Sequence, residues 1–142
     1  MSGAPNEPYA ARPRVQAVST HRRRELHDGW ELCETVPGFA EEPGVLLHAS
    51  PTWRSAVVPG TVASTMQRDD TFDIDRAPDF DASDWWYRCR FAVADLDSNP
   101  AHVLRFDGLA TLAEVWLNGS RVLSSDDMFV SHEVSVEALL AR

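Results

Sequence analysis

Lysine is absent from this chain of 142 residues: all 13 basic positions are arginine, against 22 acidic residues, for a net charge of -9. The missing lysine reflects compositional bias of the source and carries no chemistry. The charge balance does carry some, because a strongly acidic surface repels nucleic-acid phosphates and anionic membranes. The one basic cluster, Arg22-Arg23-Arg24, is a solvated entry to the fold and not a nucleic-acid patch. No run of about 18 apolar residues is present to span a bilayer. The opening stretch, MSGAPNEPYAARPRVQAVSTHRRRELHDG, lacks the apolar core of a secretory signal, so a cytoplasmic location is expected. Only two cysteines occur, Cys33 and Cys89, far apart and without CxxC spacing. That excludes a disulfide framework and a cysteine zinc site, and leaves both thiols as packing residues.

Other chemistries are also missing. The histidines at 21, 27, 48, 102 and 132 show no i, i+4 pairing and no HExxH, so no metal follows from them. There is no GxSxG elbow and no phosphate-cradling glycine loop. No cofactor is expected. The aspartates 73, 75, 79, 81 and 84 have the oxygen chemistry for calcium, but they lack the glycine and terminal glutamate of an EF-hand loop, and a solvated acidic loop is the simpler reading.

What is present is strand chemistry. The length and the 44% hydrophobic content allow one domain with a real core. Residues 1–20, with Pro5, Pro8 and Pro13, are expected to be a disordered tail, and 21–142 the domain. GWELCE alternates Trp30 and Leu32 with polar neighbours, VPGFAEEPG is a Pro/Gly loop, and VLLHA and WRSAVVPG are two more short apolar runs. GTVASTMQR forms a helical turn or two, and DDTFDIDRAPDFDASD a long surface loop. From Asp84 onward WWYRCRFAV, VLRFDG, TLAEVWL, SRVLS and FVSHEVSV are short and rich in aromatic and β-branched residues. Only EALLAR leans towards helix. The sum is an all-β sandwich or barrel.

Asn118-Gly119-Ser120 fits a glycan acceptor, yet its flanks alternate at strand spacing, and Asn-Gly between such runs is the strongest short hairpin signal. On the same alternation Ala113, Val115 and Leu117 face the core and Trp116 faces out, which makes Trp116 a candidate interface residue. For Trp85-Trp86-Tyr87-Arg88, core packing with a structural ion pair at Arg88 is preferred to a sugar-stacking platform.

Four segments, VPGTVASTM, ASDWWYRCRF, FDGLATLAEVWLNGSRV and SSDDMFVSHEVSV, resemble in order and spacing the N-terminal jelly-roll, galactose-binding-like domain of glycoside hydrolase family 2. The branch they look most like is that of the β-mannosidases and exo-β-glucosaminidases, over about Leu26 to Leu140. The resemblance implies an all-β jelly-roll β-sandwich, incomplete at its C-terminal end, with an unpaired strand edge prone to self-association. It implies a non-catalytic accessory role beside a (β/α)₈ barrel that carries the two catalytic glutamates. Retaining hydrolysis needs two carboxyl groups about 5 Å apart across the scissile bond, and the family's acid/base follows an asparagine. The only Asn-Glu here, Asn6-Glu7, is a coincidence in the tail. A substrate-contacting Trp-Asp motif of the family has no match in this chain.

Asp126-Asp127-Met128-Phe129 resembles a stretch that often reads Asp-Asn-Met-Phe, which puts an amide contact at position 127 in question. With Trp116, the residues Asp126, Asp127 and Met128 are the expected carbohydrate- or barrel-facing positions. The expected partners are the catalytic barrel and a carbohydrate. The rival readings are a free-standing carbohydrate-binding module or lectin-like domain, and a truncated fragment.

Overall fold

The computed structural model describes residues 22–93 and 101–140. The expected N-terminal tail, with Asn6-Glu7 in it, lies outside the described residues. All-β character holds: among the described residues, seven strands accompany two helices of seven residues each and three single 3₁₀ turns.

The first sheet is built around β1 (Glu31–Thr35), flanked by the two-residue β2 (Arg54–Ser55) and by β3 (Asp84–Arg88), all antiparallel. The alternating GWELCE run forms β1 because Leu32 and Cys33 can both be covered: they are buried at 0% and 1% exposure. Covering Leu32 alone contributes about 1.5–3 kcal/mol. Arg88, at the end of β3, makes the expected ion pair: its Nε lies 2.7 Å from Glu31 Oε2 on the neighbouring strand, and its guanidinium sits 3.9 Å above the Trp53 ring.

Between β1 and β3 the chain makes a long excursion. The apolar run VLLHA does not extend as a strand; it lies within helix α1 (Pro43–Ala49). Pro43, at the start of the helix, has its φ preset for that role. Ser50 closes the other end in the left-handed conformation, its N–H donating to the Leu46 carbonyl at 3.0 Å. Contiguous apolar residues cannot separate a short helix from a short strand, and here only Leu46 of the run is buried. WRSAVVPG pairs over two residues only.

GTVASTMQR forms helix α2 (Val62–Arg68), as expected, with Thr61 as its cap. Thr61 Oγ1 accepts from the Ser64 N–H at 3.2 Å while Ser64 Oγ accepts from the Thr61 N–H at 3.3 Å, a reciprocal box worth about 1 kcal/mol. Thr65, fully buried, ties this helix to the segment that follows β2: its Oγ1 accepts from the Val57 N–H at 3.0 Å. Gly60 is required at the bend, because a Cβ there would stand 2.9 Å from the Val57 carbonyl oxygen.

The acidic stretch that follows is surface loop carrying two 3₁₀ turns, Ile74–Arg76 and Phe80–Ala82. Two antiparallel ribbons complete the described fold. β4 (Val103–Phe106) pairs with β7 (His132–Ser135), and β5 (Ala113–Leu117) with β6 (Ser120–Ser125). The Asn-Gly hairpin joins β5 to β6, with φ of +49° at Asn118 and +83° at Gly119, both in the region such a turn requires. Asn118 Nδ2 donates to the Leu139 carbonyl at 2.6 Å, so the amide expected at a hairpin tip also fastens the 3₁₀ turn Glu137–Leu139. That turn takes the place of the helix expected at EALLAR, whose last two residues lie outside the described residues.

Candidate interaction site

The site is set by strand register. Phe106 at the end of β4 pairs with His132 at the start of β7, and Ala113 at the start of β5 pairs with Ser125 at the end of β6. Loops 107–112 and 126–131 therefore leave corresponding ends of the two ribbons. They also touch, since a Cβ on Gly108 would lie 3.2 Å from the Met128 carbonyl oxygen. Leu112, Met128, Phe129 and Val130 on these loops are all exposed, with Phe129 at 88% the most open of them. Beside them a shallow depression of about 440 Å³ is lined by Leu112, Ala113, Glu114, Ser124, Ser125 and Asp126.

Asp126, Asp127 and Met128 thus share one loop, and their roles differ. Asp126 is exposed on the rim. Asp127 turns its carboxylate back on its own chain, Oδ1 accepting from the Phe129 N–H at 2.8 Å. Its backbone N–H donates to Ser125 Oγ at 3.3 Å, and Ser125 Oγ, nine-tenths buried, lies 3.1 Å from His132 Nε2. An asparagine at 127 offers the same Oδ1 acceptor, so the aspartate preserves this contact. Ser125, Phe129 and His132 were not singled out from sequence, although Ser-x-Asp-x-Phe at 125–129 is the pattern from which such side-chain-to-backbone turns are made.

Trp116 stands apart from this loop. It lies three residues along β5 from Ala113, roughly 10 Å at strand rise. The register shifts between Val115 and Trp116, where Val115 pairs with Leu123 and Trp116 with Arg121. That irregularity interrupts the simple in-out alternation. Trp116 is half-buried, its indole Nε1 is covered without a hydrogen-bond partner, and with Gly38, Phe39, Glu41, Glu42 and Val45 it lines a second depression of about 540 Å³. The segment before α1 is therefore its neighbour, a long-range contact that strand periodicity does not contain.

The remaining candidates serve local structure. Asp73 and Asp79 each cap a 3₁₀ turn, accepting from the N–H groups of Asp75 and Asp81 at 2.9 and 3.1 Å. Asp84 accepts from the Gly38 N–H at 2.8 Å. Among the described residues no cluster of three or more histidine, cysteine or acidic side chains is arranged to hold a metal. Trp85 donates its indole N–H to the Phe80 carbonyl at 2.9 Å and packs against that ring, with 6.1 Å between ring centroids. Burial raises the pKa of both the Cys33 and the Cys89 thiols, which keeps them protonated and poor nucleophiles. The surface Arg105 guanidinium holds the Asp107 carboxyl below the usual aspartate range, through a hydrogen bond first and its charge second. Among the described residues no helix is long and apolar enough to cross a membrane. The chemistry assembled here is that of a contact surface.

Residues 41–142 match the family described as glycosyl hydrolase 2 galactose-binding domain-like. The chain is 45% identical over 56 residues to β-mannosidase B of Thermothelomyces thermophilus, covering 39% of this chain and 6% of that protein. It is 43% identical over 56 residues to β-mannosidase B of Aspergillus flavus, covering 39% and 7%. To the exo-β-D-glucosaminidase of Streptomyces avermitilis it is 36% identical over 59 residues, covering 39% and 6%. The matched segments span less than a tenth of each of these relatives.

Proposed function

The chain belongs to the glycosyl hydrolase 2 galactose-binding domain-like family, and on that premise we propose that it acts as the non-catalytic N-terminal accessory domain of a β-mannosidase-like exo-glycosidase. The observation that supports this reading most is the concentration of exposed apolar groups, Leu112, Met128, Phe129 and Val130, on two adjoining loops. Large apolar side chains left exposed together on adjoining loops suit a contact site. In an enzyme of this class the contact is with the catalytic (β/α)₈ barrel, which supplies the paired carboxyl groups of glycoside hydrolysis. Asp126 and Met128 lie at that boundary, and Trp116 at a second contact beside α1. The substrates are terminal β-linked sugars, mannosides first. A reducing compartment, the cytoplasm, suits a chain whose Cys33 and Cys89 are both free thiols.

Sequencing the transcript past the Arg142 codon tests the reading. An open frame encoding a barrel is expected. An immediate stop would replace it with a free-standing carbohydrate-binding module or a truncated product, and glycan binding by the chain alone would then decide between those two.

A further inference from the structure

We propose that Asn118 is a site of spontaneous covalent modification, deamidation through the nitrogen of Gly119, and that the reaction permanently unfastens the 3₁₀ turn Glu137–Leu139 from the β5–β6 hairpin. The chain has three asparagines, and only this one is followed by glycine. Asn99 precedes Pro100, whose ring nitrogen has no hydrogen to give up, and Asn6 precedes Glu7, whose side chain crowds the nitrogen. Asn118 and Gly119 are both exposed at the hairpin tip. Gly119 lies between the paired residues Leu117 and Ser120, so the ladder does not use its N–H. Beyond its chain neighbours, nothing stands within 4 Å of where its Cβ would be. Its nitrogen is therefore open to the side-chain amide beside it.

The Gly119 nitrogen attacks Asn118 Cγ. A bond between them forms, the Cγ–Nδ2 bond breaks, and the Gly119 amide hydrogen leaves with Nδ2 as ammonia, giving a succinimide. Water then opens the ring at one carbonyl or the other, to aspartate or to isoaspartate. One contact guards the amide: Asn118 Nδ2 donates to the Leu139 carbonyl at 2.6 Å. A side chain pinned there is not free to swing its Cγ onto the neighbouring nitrogen, so the reaction waits on release from Leu139. Afterwards the contact cannot re-form, because a carboxylate has no hydrogen to donate and sets negative charge against the carbonyl oxygen. The turn keeps its own bonds, Val136 N–H to the His102 carbonyl and Leu139 N–H to the Val136 carbonyl, each at 2.9 Å. It loses its tie to the hairpin, and with it the half-buried Leu139 and Leu140 lose an anchor. The two products differ at the turn: aspartate tolerates the φ of +49° at 118, whereas isoaspartate adds a methylene to a two-residue loop that has no room in its backbone for one.

The test ages the 142-residue chain at mildly alkaline pH, folded and in urea, and follows aspartate and isoaspartate at each asparagine by peptide mapping with mass spectrometry. Product should accumulate at 118 ahead of 6 and 99, and about twofold to tenfold more slowly in the folded chain, the factor one hydrogen bond supplies. Accumulation at 6 or 99 first overturns the site, and equal rates folded and in urea overturn the guard. Gly119→Ala compared in urea, where the fold plays no part, should slow the reaction because its methyl crowds the nitrogen; an unchanged rate overturns the assigned nucleophile. Asn118→Asp reproduces one product directly. Its Leu139 amide should exchange about twofold to tenfold faster while the Val115 and Leu123 amides of the β5–β6 ladder stay as protected as in the parent. Unchanged exchange at Leu139 overturns the unfastening of the turn.

Discussion

Thr65 fastens the capped helix α2 to the segment that follows β2, and replacing it with valine isolates one hydrogen bond. Valine keeps the β-branched shape and fits the same fully buried site, but it cannot accept from the Val57 N–H, now bonded to Oγ1 at 3.0 Å. A buried donor left without a partner costs about 1–3 kcal/mol. The Val57 N–H is only partly buried, which places the expected loss near the lower end, about 1–2 kcal/mol. For a domain of this size that corresponds to a fall in melting temperature of roughly 3–7 °C. Thr65→Ser retains the oxygen and loses one methyl, about 1 kcal/mol. Stability alone separates the two variants poorly, so the assay that decides is amide exchange at Val57 beside urea unfolding. Protection should vanish in Thr65→Val and persist in Thr65→Ser. A valine variant within about 0.5 kcal/mol of the parent, with Val57 still protected, would refute the reasoning.

Gly119→Ala, at a φ of +83° with open space around the position, should cost about 1–2 kcal/mol through backbone strain alone, measured by urea unfolding. Arg88→Met removes the Glu31 ion pair and the stacking on Trp53; the pair is partly exposed, so a loss of about 0.5–1.5 kcal/mol that shrinks with added salt is expected. The Asp107 carboxyl should titrate below the ordinary aspartate range by NMR and return towards it in Arg105→Gln. Because its folded pKa is lowered, its contribution to stability is present above the unfolded value and fades as pH falls through the folded one. The chain alone should not hydrolyse nitrophenyl β-mannoside; turnover that survives Glu7→Gln and exclusion of host enzymes would contradict that.

The parts of the fold legible in sequence are those fixed by neighbours along the chain. Asn118-Gly119 specifies its turn through φ, GTVASTMQR reads as its short helix, and GWELCE reads as the strand β1, although Leu32 and Cys33 are both buried where strict alternation would bury only one. VLLHA was not legible as helix, because a run of contiguous apolar residues has no period to read, and what decides it is Pro43 at one end and Ser50 at the other. The candidate site was half legible. Asp126, Asp127 and Met128 were located through resemblance and do share one loop. That Asp127 faces inward, and that Phe129 is the exposed group, depends on the register bringing Ser125 and His132 together across two different ribbons. Trp116 shows the same limit: the register shift beside it and the Phe39–Val45 segment near it are long-range facts.

The central claim, that this domain works as part of a β-mannosidase-like enzyme, is tested most directly by recovering the native polypeptide from its source with an antibody raised against residues 106–122 and assaying it on β-mannosides. The account predicts a single polypeptide several times larger than 15.8 kDa that releases mannose from terminal β-linkages. A native polypeptide of 15.8 kDa, free of any associated hydrolase activity, would contradict it.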